Sequence, residues 1–188
     1  KTTNSRIFQE KSVPDIVEHV FIARGVTDFR MDIDGAYDPK EYCVQYAETD
    51  FNFVSRLLEQ EGIFYFFEHE NGKHTMVMGD APSKHIACTP AADPVRYHPV
   101  TVGTSPQEGI IFDLDKMQEI RIGKYTVNDF NFMTPTTDLL VGVDSQTSTG
   151  PGEREVYDFP AEYKTRAEGE RLANIRMQAE EVRTTSFM

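Results

Sequence analysis

The fold of this chain is decided by residues Glu41–Asp80, which read EYCVQYAETD FNFVSRLLEQ EGIFYFFEHE NGKHTMVMGD. Residues 42–46 alternate with a period of two, and this pattern predicts a half-buried strand. Its two faces carry Tyr42, Val44 and Tyr46 on one side, and Cys43 and Gln45 on the other.

A capped helix is predicted directly after this strand. Thr49 is a favourable N-cap, and Asp50 places a negative charge at the positive end of the helix dipole. Gly62 can adopt the left-handed conformation that ends a helix, and Ile63 can then contact Leu58 in a Schellman motif. The apolar stripe at helical spacing consists of Phe51, Val54, Leu57 and Leu58.

A β-hairpin completes the stretch. Residues 63–67 are apolar on both faces, so we expect a strand that is covered on both sides. Asn71-Gly72 is typical of a type I′ turn, which requires positive φ at both central residues. A turn at these residues pairs Glu70 with Lys73, His69 with His74, Glu68 with Thr75, Phe67 with Met76, and Phe66 with Val77. This register is favourable because opposite charges meet at the turn and apolar residues meet below it.

The segments on either side predict an α+β fold that is mainly antiparallel β, with two or three helices packed on it. Before the central stretch, Ser12 caps a helix whose buried face runs from Val13 to Phe21 and whose stop is Gly25, and residues 29–33 form a strand. After it, strands are predicted at 110–114, 119–122, 124–132, 139–143 and 156–160. Thr165 begins a final helix that runs to about Glu181, with one side formed by Leu172, Ile175, Ala179 and Val182.

Composition divides the chain into three expected parts. Residues 1–80 form a helix-strand-helix-hairpin part, and residues 110–188 form a β-rich part with a C-terminal helix. Between them, the proline-rich residues 81–109 are expected to be an irregular connector with one short strand near Val95–Tyr97. The chain opens on Lys1 without an initiator methionine, so we expect a fragment of a longer protein.

The charge balance excludes some classes of partner. The formal net charge is −12, whereas nucleic acids and anionic membrane surfaces attract basic proteins. No apolar run has the length of a membrane span, and the start carries no signal-peptide pattern. Cys43 and Cys88 could form at most one bridge, and a reduced, cytoplasmic state is the better interpretation.

Three groups of residues could carry chemistry, and each has a plainer interpretation. His69 and His74, flanked by Glu68 and Glu70, resemble half a metal site that would need a third ligand such as Asp80 or His85. We interpret them as a polar hairpin tip whose histidines face water. The sequence Asp32-Ile33-Asp34-Gly35 resembles the start of a calcium loop but lacks the required glycine at the sixth position.

Acidic residues near the aromatic strands allow a glycosidase hypothesis. Glu61 and Glu68 are the candidates, although a general acid needs a concave, desolvated setting that a sequence does not reveal. Surface charge is the more frequent explanation. We therefore predict no catalytic, cofactor-binding or metal-ligating residue and no cofactor.

These residues together resemble the VgrG family, the valine-glycine-repeat spike proteins of the bacterial type VI secretion system. Three segments carry the resemblance. The first is Arg6–Val17, the second is Glu41–Asp80, and the third combines Asp129–Pro135 with Tyr157–Arg171. The second segment is the longest and most specific.

The resemblance implies a fragment of a barrel-like hub domain, similar in fold to the baseplate hub of contractile phage tails. Such a hub is a homotrimer that sits on the hexameric Hcp tube, supports a needle and can carry an effector cargo. The resemblance implies assembly in the bacterial cytoplasm, followed by export through the secretion machine. It implies no enzymatic activity for this region. Two alternatives remain open: a hub protein of a contractile phage tail or phage-derived particle, and a cell-wall hydrolase.

Overall fold

The computed structural model describes residues 3–86, 96–97, 110–111, 113–147 and 154–187. The chain divides into two compact units, unit 1 (Lys1–Ile86) and unit 2 (Ala87–Met188). Within the described ranges, three α-helices and five sheets of two or three strands give a mixed α+β fold, and none of these sheets closes into a barrel. The predicted division at residues 81–109 stays a prediction.

Unit 1 alternates strands and helices. Its elements are β1 (Thr3–Phe8), α1 (Val13–Ala23), β2 (Phe29–Asp32), β3 (Cys43–Thr49), α2 (Asp50–Glu61), β4 (Phe64–Glu70) and β5 (Lys73–Gly79). Strands β1 and β3 form an antiparallel pair. The second sheet has the order β2-β5-β4, in which β4 is antiparallel to β5 and β2 is parallel to it.

Local side-chain chemistry sets the helix ends of unit 1 where the sequence predicts them. Ser12 and Asp15 form a capping box at the start of α1. The Thr49 side chain accepts a hydrogen bond from the Asn52 backbone N–H at the start of α2. Gly62 ends α2 at φ 73°, and the Ile63 N–H donates to the Leu58 carbonyl at 2.8 Å.

One helix face of unit 1 differs from the prediction, and the half-buried strand β3 has one buried and one exposed face. In α2 the buried ring is Phe53, which stacks on Phe8 with centroids 5.7 Å apart, whereas Phe51 is 70% exposed. The buried positions 53, 54, 57, 58 and 61 are one continuous helical stripe that excludes position 51. In β3 the buried face carries Cys43 and Gln45, and both flanking tyrosines are exposed.

The hairpin has the predicted register in all of its pairs, from Glu70 with Lys73 down to Phe66 with Val77. Its turn is not type I′, because Gly72 has positive φ and Asn71 does not. The expectation of a strand covered on both sides is also wrong for residues 3–86, since Tyr65 and Phe67 are exposed on one face of β4. Apolar composition alone does not say whether the chain itself covers a face.

Unit 2 is built from short strands and one long helix. Its elements are β6 (Arg96–Tyr97), β7 (Ile110–Ile111), β8 (Lys116–Gln118), β9 (Lys124–Val127), β10 (Val141–Asp144), β11 (Glu155–Asp158), α3 (Arg166–Val182) and β12 (Thr185–Phe187). The sheets pair β6 with β7, β8 with β12, and β9 with both β10 and β11. The core combines Val127, Leu139, Val141, Ala161, Tyr163, Leu172 and Ala173. No helix in the described part of the chain has both the length and the apolar character needed to cross a membrane.

Three predictions for unit 2 need correction. Residues 119–122 are not a strand, and the strand lies earlier, at β8. The strand predicted at 124–132 ends at Val127, and the residues after it form a loop. The buried side of α3 carries Gly169, Leu172, Ala173 and Met177, whereas Val182 is 77% exposed. The helix is rotated relative to the apolar pattern because the small Gly169 lies against the buried Tyr163 ring.

Candidate interaction surface

The structure brings His69 and His74 of the suspected metal site together and places His85 away from them. The Nδ1 atoms of His69 and His74 are 2.7 Å apart at the hairpin tip. The His85 ring stacks on Phe64 with centroids 4.2 Å apart. Phe64 and His69 are five positions apart in β4, so their side chains lie on opposite faces of the sheet. No group of three or more histidine, cysteine, aspartate or glutamate side chains lies close enough to share a metal among residues that the structure describes.

Asp80, the other suggested third ligand, holds a turn together. Its carboxylate accepts hydrogen bonds from the backbone N–H groups of Asp34 and Gly35 and from the Tyr37 hydroxyl, with the shortest at 2.7 Å. Burial raises the pKa of Asp80, but these hydrogen bonds outweigh burial and leave the pKa below its ordinary value. The ionised carboxylate is therefore a structural acceptor.

The acidic residues of the calcium-like segment are bound to a lysine. Lys84 Nζ donates to Asp32 at 2.9 Å and to Asp34 at 2.8 Å. These two hydrogen bonds raise the pKa of Lys84 above its ordinary value. The ammonium group thus neutralises the carboxylates that a calcium ion would need.

The two glutamates of the glycosidase hypothesis also form ion pairs. Arg30 donates to both carboxylate oxygens of Glu68, at 2.8 and 3.1 Å. Its hydrogen bond lowers the pKa of Glu68, whereas a general acid requires a raised pKa. Glu61 lies at the buried end of α2, with its carboxylate 3.6 Å from Lys40 Nζ. Both residues therefore serve the fold in this structure.

A polar cluster that the sequence analysis missed joins four elements of unit 1. Gln45 is fully buried; its amide donates to Asp50 at 2.8 Å and accepts from Arg6 Nε at 2.8 Å. Asp50 also pairs with Arg6 and Arg24. Burial raises the pKa of Asp50, but the hydrogen bonds of Gln45 and Arg24 and the charge of Arg6 lower it below its ordinary value. The cluster links β1, the C-cap residue of α1, β3 and α2 through one carboxylate.

Three exposed apolar side chains of unit 2 lie on a loop that is fixed in place. This Asp129 loop, residues 129–133, displays Phe130, Phe132 and Met133 at 62%, 78% and 75% exposure. The Asp129 carboxylate accepts from the backbone N–H of Glu162 at 2.6 Å. Asn131 accepts from the Met133 N–H at 3.0 Å, and its amide donates to the carbonyl of Lys164 at 3.2 Å. The loop is therefore ordered by its own polar side chains, and its apolar side chains are exposed.

A second segment with exposed rings is hydrogen-bonded to Asn128, the residue directly before this loop. The backbone N–H of Asn128 donates to the Asp158 carbonyl at 3.0 Å, and its side-chain amide donates to the Tyr157 hydroxyl at 3.2 Å. Tyr157 and Phe159 are more than half exposed. Large rings held in fixed positions lose little conformational entropy on binding, and such rings dominate the energy of protein interfaces. The Asn128-Asp129 and Asn131 turn residues were the signal in the sequence that could have revealed this loop.

Unit 1 offers a second surface of the same kind. Tyr65 and Phe67 lie side by side on the exposed face of β4, with ring centroids 6.1 Å apart in an edge-to-face arrangement. Strand β4 is also the terminal strand of its sheet within the described residues. Exposed aromatic rings on a terminal strand are typical of an interaction surface.

Comparison with known proteins identifies what this chain is similar to. A family model described as the phage tail baseplate hub (GPD) matches residues 1–188. Two Pseudomonas aeruginosa proteins, the type VI secretion system spike proteins VgrG1b and VgrG1c, are 38% identical over 183 residues and 39% identical over 180 residues. These alignments cover 97% and 95% of this chain.

A solved structure shows the same fold at low sequence identity. The 43 kDa tail protein of prophage MuSo2 from Shewanella oneidensis has a TM-score of 0.56, with 13% identity over 96% of this chain and 50% of that chain. The chain spans 24% of the length of each of the two spike proteins. The resemblance inferred from the sequence motifs is confirmed, and because the family model extends over the whole sequence, the chain belongs to the phage tail baseplate hub (GPD) family.

Proposed function

We propose that this chain is a structural part of the hub of a type VI secretion puncturing spike. The observation that carries the proposal is the match of the whole chain to the baseplate hub family, together with spike relatives at 38–39% identity. In this proposal the longer protein is a homotrimer that sits on the Hcp tube and supports the needle. Barrel-like closure of the hub would then involve the rest of that protein.

The mechanical role is load transmission. A hub must pass axial thrust without deforming, so its elements need fixed contacts rather than reactive groups. The Asp50 cluster supports this role because it ties two strands and two helices to one carboxylate. The Asp129 loop and the exposed face of β4 are the surfaces that we assign to contacts with neighbouring copies of the chain.

Export of the tube protein tests this function in the cell. A bacterium that lacks the full-length protein is complemented with the wild type, with the double variant Phe130→Ser/Phe132→Ser, or with Phe51→Ser. Phe51 is the matched control because it is an equally exposed ring, at 70%, on α2 of unit 1. We expect the wild type and the control to restore Hcp export and the double variant to abolish it, at equal protein levels. Export that does not depend on the protein at all would refute the proposal.

We infer that the exported hub itself has no catalytic role. The support is the engagement of Glu61 and Glu68 in ion pairs with Lys40 and Arg30. In this proposal the protein assembles in the cytoplasm, leaves through the secretion machine and can carry an effector. Substitution of either glutamate by glutamine should leave export and any lytic activity unchanged, and a selective loss of lysis would contradict the inference.

A phage tail hub is the second candidate function. It is favoured by the description of the matching family and by the fold of the prophage tail protein. The genes beside the coding sequence separate the two candidates. Genes for a capsid and tail fibres would support the phage particle, and genes for a secretion membrane complex would support the spike.

A further inference from the structure

We propose that His69 and His74 form a two-histidine binding site for a divalent transition metal ion such as Zn²⁺. The two residues are directly opposite each other in the β4–β5 hairpin, and both are exposed. Their Nδ1 atoms point at each other across 2.7 Å, and their ring centroids are 4.8 Å apart. The site lies at the turn end of the exposed face of β4, next to Phe67.

The position in the hairpin favours chelation. In a hairpin with a two-residue turn, the pair beside the turn exchanges backbone hydrogen bonds and the next pair does not. Glu70 and Lys73 form the first pair, so His69 and His74 form the second. Side chains of a non-hydrogen-bonded pair lie closer together, and this spacing directs both imidazoles to one point.

The distance between the nitrogens is close to that of a bound metal. With Zn–N bonds of about 2.0–2.1 Å, two imidazole nitrogens are about 2.9 Å apart at a right angle and about 3.3 Å apart at a tetrahedral angle. The observed 2.7 Å requires only a small rotation of the two rings. The hydrogen bond between them already needs one unprotonated Nδ1. Coordination by both rings requires the donor ring to carry its proton on Nε2 instead of Nδ1.

His69 has one further ring contact, and the neighbouring glutamates of β4 lie outside the site. His69 stacks with Phe67 at a centroid distance of 6.3 Å. Glu68 and Glu70 alternate with His69 along β4 and so lie on the other face, and Glu68 is held by Arg30. Imidazole ligands select Zn²⁺, Ni²⁺ and Cu²⁺ over Mg²⁺ and Ca²⁺, so the site should discriminate between these two groups.

Calorimetric titration of the metal-free full chain with ZnCl₂ tests the proposal. The variants are His69→Gln, His74→Gln and the double variant, and His19→Gln is the control because His19 is an exposed histidine on α1. We expect each single variant to weaken Zn²⁺ binding about tenfold or more, because one imidazole lacks the effective concentration of the pair. The double variant should bind at least as weakly as either single variant, and His19→Gln should bind like the wild type.

A second measurement on the wild type is independent of the variants. Two-dimensional NMR of the imidazole nitrogens should show both Nδ1 resonances shifting on addition of ZnCl₂, but not on addition of MgCl₂. Equal Zn²⁺ affinity of the wild type and His74→Gln would overturn the proposal. Unchanged Nδ1 resonances at saturating Zn²⁺ would also overturn it, since the pair would then hold only a shared proton.

Discussion

Gly169→Ala should destabilise unit 2, although the same change stabilises an ordinary exposed helix. Gly169 is buried in α3, and a Cβ atom there would lie 2.6 Å from Tyr163 Cε2 and 2.8 Å from Tyr163 Cζ. The ring cannot move freely, because Tyr163 is 5% exposed and its hydroxyl donates to the Leu139 carbonyl. The added methyl group therefore forces a shift in the core.

Three terms set the change in the free energy of unfolding that Gly169→Ala causes. Replacement of glycine by alanine inside a helix gains about 1 kcal/mol. Overpacking of a filled core costs about 1–3 kcal/mol. Displacement of the Tyr163 hydroxyl from its buried acceptor adds about 1 kcal/mol or more. The free energy of unfolding should thus fall by about 1–3 kcal/mol.

Urea unfolding followed by far-UV circular dichroism measures this change, and hydrogen exchange of the α3 amides assigns it to unit 2. The control places Gly169→Ala in a Tyr163→Leu background, which removes the Tyr163 Cζ and hydroxyl that a Cβ at 169 would meet. There the substitution should be neutral or stabilising by up to about 1 kcal/mol. A stabilising effect in the wild-type background would refute the packing argument.

Three further predictions concern unit 1. Asp50→Asn should lower the melting temperature at pH 7. The pKa of Asp50 is lowered in the folded state, so its ionised carboxylate contributes to stability above the ordinary pKa of aspartate. This contribution to stability is lost as the pH falls through the pKa of Asp50 in the folded state. The difference between wild type and Asp50→Asn should therefore shrink in melting curves recorded towards pH 3, and a constant difference would contradict the Asp50 cluster. Gly72→Val should lower the free energy of thermal unfolding by about 1–3 kcal/mol, because Gly72 has φ 78° and a valine there is strained although its Cβ meets no other atom. An unchanged melting temperature would refute this conformation of the turn. Phe53→Ala should cost about 3–5 kcal/mol in urea unfolding, whereas Phe51→Ala should cost less than about 1 kcal/mol, and the reverse order would show that the wrong face of α2 is buried.

Features of the fold that depend on neighbouring residues were predictable from the sequence. The caps at Ser12, Thr49 and Thr165 and the stop at Gly62 follow from backbone chemistry within one turn of helix. The hairpin register follows from the Asn71-Gly72 turn because two residues fix every pair below them.

Features that depend on distant contacts were not predictable. The choice of Phe53 over Phe51 depends on Phe8, which is far away in sequence and stacks only on the former. The buried face of β3 carries Gln45 because a polar side chain is tolerated where Arg6 and Asp50 satisfy it. The rotation of α3 depends on the fit between Gly169 and Tyr163.

The candidate surfaces were the least predictable part of the molecule. The sequence pattern places Phe130 in a strand, although it lies on the Asp129 loop, whose order comes from hydrogen bonds to Glu162 and Lys164. Tyr65 and Phe67 have the composition of a buried strand but lie on an exposed face. A single sequence does not distinguish apolar residues that pack inside the chain from apolar residues on an interaction surface.

The mass of the longer protein in solution tests the central claim most directly. Multi-angle light scattering at micromolar concentration should give three times the mass of one chain for the wild type. Phe130→Ser/Phe132→Ser should give a smaller mass, whereas Phe51→Ser should give the wild-type mass. A wild-type protein that remains strictly monomeric at this concentration would contradict the account of this chain as part of a self-assembling hub.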